Sequence, residues 1–62
     1  MKKVAVIILN YNSWRETLNE ITICVNVLNM NYKDIIVVDN ASPNDSALNL
    51  KKESGEKGFI FL

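Results

Sequence analysis

The side chains best suited to chemistry fall in two short clusters, Asn10-Tyr11-Asn12 and Asp39-Asn40-Ala41-Ser42. Between them they offer a carboxylate, amides, a hydroxyl and an aromatic ring. A tyrosine presents a flat apolar face on which a nucleobase can stack, while Asp39 and Asn40 can accept a hydrogen bond from an imide N–H such as that of uracil or thymine. Other chemistries lack their parts. The chain has no histidine and one cysteine, so neither the usual zinc sets nor a Ser/His/Asp triad can be assembled within it. The turn after the first apolar run reads Asn-Tyr-Asn-Ser-Trp, without the glycines that let backbone approach phosphate in a dinucleotide fingerprint or a phosphate loop. The same residues also have ordinary uses. Asp, Asn and Ser favour turns by bonding nearby backbone, a loop tyrosine is often half-buried, and Cys24 fits a small buried hydrophobe better than a nucleophile.

The elements that must position these clusters are legible from the apolar pattern. Val4 to Leu9 reads as a first strand, and the β-branched run Ile35-Ile36-Val37-Val38 as a second, of the kind covered on both faces in parallel α/β sheets. Between them, Ser13 and Glu16 have capping-box spacing, so a helix is expected from Trp14. Its stripe of Trp14, Leu18, Ile21, Val25 and Leu28, widened by Cys24 and Val27, steps by four and three residues and marks one buried face. Asn29, Asn31 and Tyr32 should end it. A strand, a helix and a strand in this order form a right-handed crossover with parallel strands. Their carboxyl ends then share one edge, where open α/β sheets bind ligands. The two clusters are therefore expected to converge. Pro43-Asn44-Asp45 reads as a turn, with Ser46 capping a short helix over Ala47 to Glu53, Leu50 facing inward and Ser54-Gly55 as the stop. Phe59 to Leu62 supplies a third strand. The fold class is thus α/β, a Rossmann-like β-α-β-α-β parallel sheet that is expected to be incomplete.

Length and charge narrow the partners. At 62 residues the chain is at most one small domain, of a size that buries only ~60% of the surface its unfolded form exposes. It closes on an apolar run without a stop signal, so it is expected to be the amino-terminal piece of a longer protein. Seven basic and seven acidic residues cancel, which implies no broad attraction to nucleic acid or anionic membrane. Lys2 and Lys3 precede an apolar run shorter than a signal-peptide core, and no stretch approaches the ~20 residues of a membrane span. With an unpaired cysteine as well, the expected location is cytoplasmic. The sequons Asn40-Ala41-Ser42 and Asn44-Asp45-Ser46 are accordingly read as turn chemistry.

On these residues the chain resembles the amino-terminal part of the family-two, GT-A-fold glycosyltransferases, which transfer sugars from nucleotide-sugar donors with inversion. The resemblance spans essentially the whole chain. It is carried by Val4 to Asn12, Ser13-Trp14, Tyr32 and above all Ile36-Val37-Val38-Asp39-Asn40-Ala41-Ser42. It implies a GT-A nucleotide-sugar-binding fold in which backbone at Leu9 and Asn10 and the Tyr11 ring line the base pocket, the Asp39-Asn40 pair meets the base or ribose, and Asn12 and Ser42 complete the donor-nucleotide-binding set. The donor implied is a uridine or thymidine diphosphate sugar. The acceptor would be a glycan or lipid-linked hydroxyl, and a divalent cation, Mg or Mn, would assist in the intact protein. Two features depart from the family pattern. Asn40 stands where many relatives carry a second acid, and Pro43-Asn44-Asp45-Ser46 where they often read Thr-Asp-Gly-Ser, which puts a role for Asp45 in question. The family's Asp-x-Asp metal motif and catalytic base would lie beyond residue 62, so no catalytic residue and no metal ligand is assigned here.

A non-catalytic nucleotide-binding or receiver-like module is the alternative. Receivers, however, place their acid pair after the first strand, whereas here the acid follows the second. A structural or protein-interaction fragment is a third reading. The resemblance implies that the 62-residue chain alone turns over no nucleotide sugar, an outcome that a transfer and hydrolysis assay on the pure chain checks.

Overall fold

The computed structural model describes residues 4–42 and 45–62. The elements run β1 (Val6–Asn10), α1 (Trp14–Asn26), β2 (Ile35–Asp39), α2 (Ser46–Lys57) and β3 (Ile60–Phe61), with one 3₁₀ turn at Tyr32–Asp34 leading into β2. This is an α/β unit in β-α-β-α-β order. Its strands form one open sheet in the order β1-β2-β3, and both pairings are parallel. The central strand β2 therefore holds the sheet together. Register matches Ile8 with Val37 and Asn10 with Asp39 on one side, and Val37 with Phe61 on the other.

The core lies on one face of the sheet. Ile8, Ile35, Val37 and Phe59 are buried there together with Ile21 and Cys24 of α1 and Leu50 of α2. Successive strand residues point to opposite faces, so the intervening Ile7 and Leu9 are 65% and 75% exposed, and Ile60 follows them. The expectation that the β-branched strand is covered on both faces is thus corrected. Both helices occupy the same side, and what shields Ile36 and Val38 to a half-buried state is the pair of flanking strands. Right-handed crossovers that step in one direction across a sheet place their helices on one face, and strand order 1-2-3 is that arrangement.

In α1 the buried positions are Thr17, Ile21 and Cys24, flanked by half-buried Trp14, Leu18 and Val25. The apolar stripe was expected to extend further. The helix ends at Asn26, and Val27 and Leu28 are 68% and 62% exposed. Asn29 has φ +56°, a left-handed conformation asparagine tolerates after a helix end. The capping box is not made either. The Ser13 hydroxyl turns back to donate to the Tyr11 carbonyl at 2.9 Å, and the side chain makes no cap bond.

α2 is longer than its composition suggests. It starts at Ser46, which is buried, with Asp45 in the cap position, and Pro43 and Asn44 of the expected turn lie outside the described residues. It also passes through Ser54-Gly55 to Lys57. A glycine within a helix costs only about 1 kcal/mol against alanine, and the actual stop is Gly58. That residue has φ +103°, its amide donates to the Ser54 carbonyl at 2.9 Å, and the Ser54 hydroxyl reaches the Phe59 carbonyl at 2.5 Å. The left-handed cap and the buried Phe59 close the helix together. A Cβ on Gly55 would meet nothing within 4 Å. Gly55→Ala is therefore expected to stabilise the chain by about 0.5–1 kcal/mol, whereas Gly58→Ala should destabilise it by about 1 kcal/mol or more. Urea unfolding of the two variants reads both signs.

Candidate functional site at the strand exits

The carboxyl ends of the strands are bound to one another by backbone as well as by side chains. Beyond the ladder, the Asn40 amide donates to the Asn10 carbonyl at 2.8 Å and the Asp39 amide to the Leu62 carbonyl at 3.3 Å. The exit of β2 is thereby tied to both neighbours. The clusters 10–12 and 39–42 do converge, as parallel strands require.

A side-chain network fills the junction. Asn10 is 1% exposed and lies on the helix face of β1. Its Nδ2 donates to Asp39 Oδ1 at 2.9 Å and more weakly to Ser42 Oγ at 3.4 Å, and its Oδ1 accepts from the Thr17 hydroxyl at 2.7 Å. Thr17, 3% exposed, stands in the first turns of α1. The Ser42 hydroxyl donates to Asp39 Oδ1 at 2.6 Å and accepts from the Asn12 amide at 2.9 Å, while the Ser42 amide donates to Asp39 Oδ2 at 3.0 Å. One helix, two strand ends and two loops are joined through five residues. Buried polar groups are costly unless paired, and this pairing is what lets an amide and a hydroxyl sit beside the core.

The network leaves a definite acceptor inventory. A carboxylate offers about four lone-pair directions. Asp39 Oδ1 already takes two donors, and Oδ2 takes one. Among the described residues, the open direction is on Oδ2. The donors also hold the Asp39 carboxyl below its ordinary value of 3.8: the Ser42 hydroxyl first, then the Ser42 amide, then the Asn10 amide, against a smaller opposing effect of burial. Asp39 is thus a carboxylate at neutral pH. Two loop residues adopt positive φ, Asn12 at +54° and Ala41 at +50°. Asparagine accepts this conformation readily, whereas alanine holds it at a steric cost of about 1–2 kcal/mol. Ala41 bridges Asn40, bonded to β1, and Ser42, bonded to Asp39, so bonds on both sides hold it there.

The seven residues named from the sequence divide by placement. Asn10, Asn12, Asp39 and Ser42 form the bonded cluster. Leu9, Tyr11 and Asn40 are exposed, Tyr11 by 55%. Leu9 sends its side chain to the bare sheet face; since Asn10 turns its carbonyl to β2, strand alternation directs the Leu9 peptide groups to the open edge of β1. Asn10 is enclosed as a whole residue, and its carbonyl is already taken by the Asn40 backbone amide, so it supports the exit from behind and presents nothing directly to a ligand. Thr17 escaped the sequence reading. Its signal was available, because it precedes Ile21 by four and Cys24 by seven and so places a hydroxyl on the buried stripe.

Among the described residues, no three His, Cys, Asp or Glu side chains lie together in a way that could hold a metal ion. The donor set at the exit is one engaged carboxylate with amides and a hydroxyl, which does not fit a divalent cation site. No helix of the described residues is long and apolar enough to cross a membrane. Comparison with protein-family models, curated proteins and solved structures finds no match to this chain.

The depressed Asp39 carboxyl has a consequence for acid stability. Its contribution is fully present above the unfolded value of 3.8 and is lost as pH falls through the lower folded value. Asp39→Asn should accordingly lower stability at neutral pH and flatten the acid limb of the stability curve below about pH 5. Urea midpoints measured from pH 7 down to pH 2 check the slope.

Proposed function

We propose that this chain forms part of the donor site of a nucleotide-sugar glycosyltransferase and holds the nucleoside diphosphate of a uridine- or thymidine-linked sugar. The observation that supports this reading is the junction of the β1 and β2 exits, with an exposed aromatic ring on one loop and a carboxylate on the other. Asp39 Oδ2 keeps one open acceptor direction, and a pyrimidine imide brings one N–H donor. Tyr11 lies directly after β1 and is 55% exposed, which suits a stacking surface. The exposed Asn40 side chain adds a polar group next to the same carboxylate, while the Leu9 peptide groups face the other side of β1, away from β2.

In this reading the residues bind and orient the donor, and the chemical step belongs to the intact protein. There the sugar would pass with inversion to a hydroxyl of a glycan or lipid-linked acceptor. A cation that offsets the diphosphate charge would supply the leaving-group chemistry. The one carboxylate at the exit, Asp39, does not fit that ion, and no step is drawn through it.

Calorimetric titration with uridine and thymidine diphosphate is the direct experiment. Tyr11→Ala should weaken binding by ~1–3 kcal/mol, the worth of a base stacked on an aromatic ring, and Tyr11→Phe should restore most of it. Tyr11 is a suitable probe because its side chain is outside the bonded cluster and the core. Asp39→Ala should cost ~1–3 kcal/mol for the unpaired imide donor, with circular dichroism confirming that the variant is folded. Dissociation constants untouched by both substitutions would defeat the reading.

A further inference from the structure

We infer that Thr17 is a positioning residue of this exit, one that holds the Asn10 amide so that its hydrogens stay on Asp39 Oδ1 and only Oδ2 is left to receive a ligand. Its role toward a ligand rests on the nucleotide-binding reading above. Thr17 is 3% exposed and Asn10 1%, so neither side chain is open to an incoming base. Any effect of Thr17 on binding must act through its neighbours.

The argument follows from donors and acceptors. A primary amide can be turned over with little change of shape, exchanging its oxygen and nitrogen. In the orientation present, Nδ2 faces a carboxylate oxygen at 2.9 Å and Oδ1 faces the Thr17 hydroxyl at 2.7 Å. Turned over, the amide would set oxygen against carboxylate oxygen, two acceptors with no proton between them. The present orientation therefore suits Asp39, but it aims the amide oxygen into the buried space beneath α1, where only a donor makes it tolerable. Thr17 is that donor. Without its hydroxyl, the oxygen is left unpaired and the amide no longer fits its place. Asp39 Oδ1 then loses one of its two donors, on the side that faces the enclosed Asn10, and the carboxylate is held less firmly in the pose that leaves Oδ2 for a ligand.

This predicts an effect that a merely supporting residue would not have: the Asp39 carboxyl loses a donor although Thr17 never touches it, because the change passes through the Asn10 amide.

The experiment uses the 62-residue chain, its near-isosteric variant Thr17→Val and the hydroxyl-retaining variant Thr17→Ser. Carbon-detected NMR follows the Asp39 carboxyl through acid titration, proton–nitrogen spectra follow the Asn10 side-chain amide, and calorimetry measures uridine diphosphate. Thr17→Val is expected to move the Asp39 titration upward, to release the Asn10 amide protons to faster exchange, and to weaken uridine diphosphate by about threefold to tenfold, the worth of one hydrogen bond. Thr17→Ser should stay close to the unmodified chain in all of these. An Asp39 titration and an Asn10 amide that Thr17→Val leaves unmoved overturn the inference, as does an unchanged affinity for uridine diphosphate in a chain that binds it.

If the unmodified chain binds no nucleotide, the proposed function fails, while the two NMR readouts still decide what Thr17 does to Asn10 and Asp39. If Thr17→Val does not fold, the unmodified chain decides. Its Asn10 amide protons should exchange slowly and shift with the Asp39 titration, and fast exchange without that shift overturns the inference.

Discussion

The bond from the buried Asn10 amide to the Asp39 carboxylate is the interaction on which the rest of the exit depends. It joins the last residues of β1 and β2 at partner positions in the sheet. Either group alone would be a liability there, since a buried amide and a partly buried carboxylate each lose water on folding. Paired, they supply each other's needs, and Thr17 and Ser42 complete the account. The cluster thus converts a cost of burial into a defined geometry. It fixes the loop after each strand without a glycine in either.

Topology explains why this geometry arises at one edge. Parallel strands end together, and the central β2 bonds to a neighbour on each side. Stepping from β1 to β2 to β3 places both helices on one face, which gives a one-sided core around Ile35, Val37, Leu50 and Ile21. The cost is an apolar second face bearing Ile7, Leu9 and Ile60. Large exposed apolar patches are uncommon on single soluble domains, and parallel sheets ordinarily carry helices on both sides. The arrangement has its polar, ordered features at the strand ends and its unsatisfied apolar surface across the sheet.

Much of this was legible in the sequence because the relevant signals are local. β-branched runs gave the strands, four-and-three spacing gave the inner face of α1, and the chirality of crossovers gave the convergence of residues 10–12 with 39–42. What escaped depended on competition between alternatives of similar energy. The Ser13 hydroxyl had a capping partner in reach and took the Tyr11 carbonyl instead. Gly55 looked like a stop, but the left-handed Gly58 three residues later, backed by buried Phe59, was the better one. Thr17 looked like a polar interruption of a helix face, because its partner Asn10 is seven residues away and its worth appears only when Asp39 arrives from β2. Coverage of the sheet was misjudged for a different reason. A run such as Ile35 to Val38 reports β-branched preference on both faces and does not reveal which face receives the helices.

The position of the cluster inside the ladder also bears on how the strands find their alignment. Because side chains alternate, a slip of one residue in β1 would move Asn10 to the bare face and bring Leu9 under the helices. Apolar content alone discriminates poorly between these alignments, since Ile7, Ile8 and Leu9 are all acceptable core residues. Asn10 is not interchangeable with them. In the slipped sheet the Thr17 hydroxyl and one oxygen of Asp39 would lose the amide between them, so the alternative carries orphaned polar groups where the native alignment has none. The amide acts as an error check on strand alignment, rejecting a mispairing that greasy contacts by themselves would let pass.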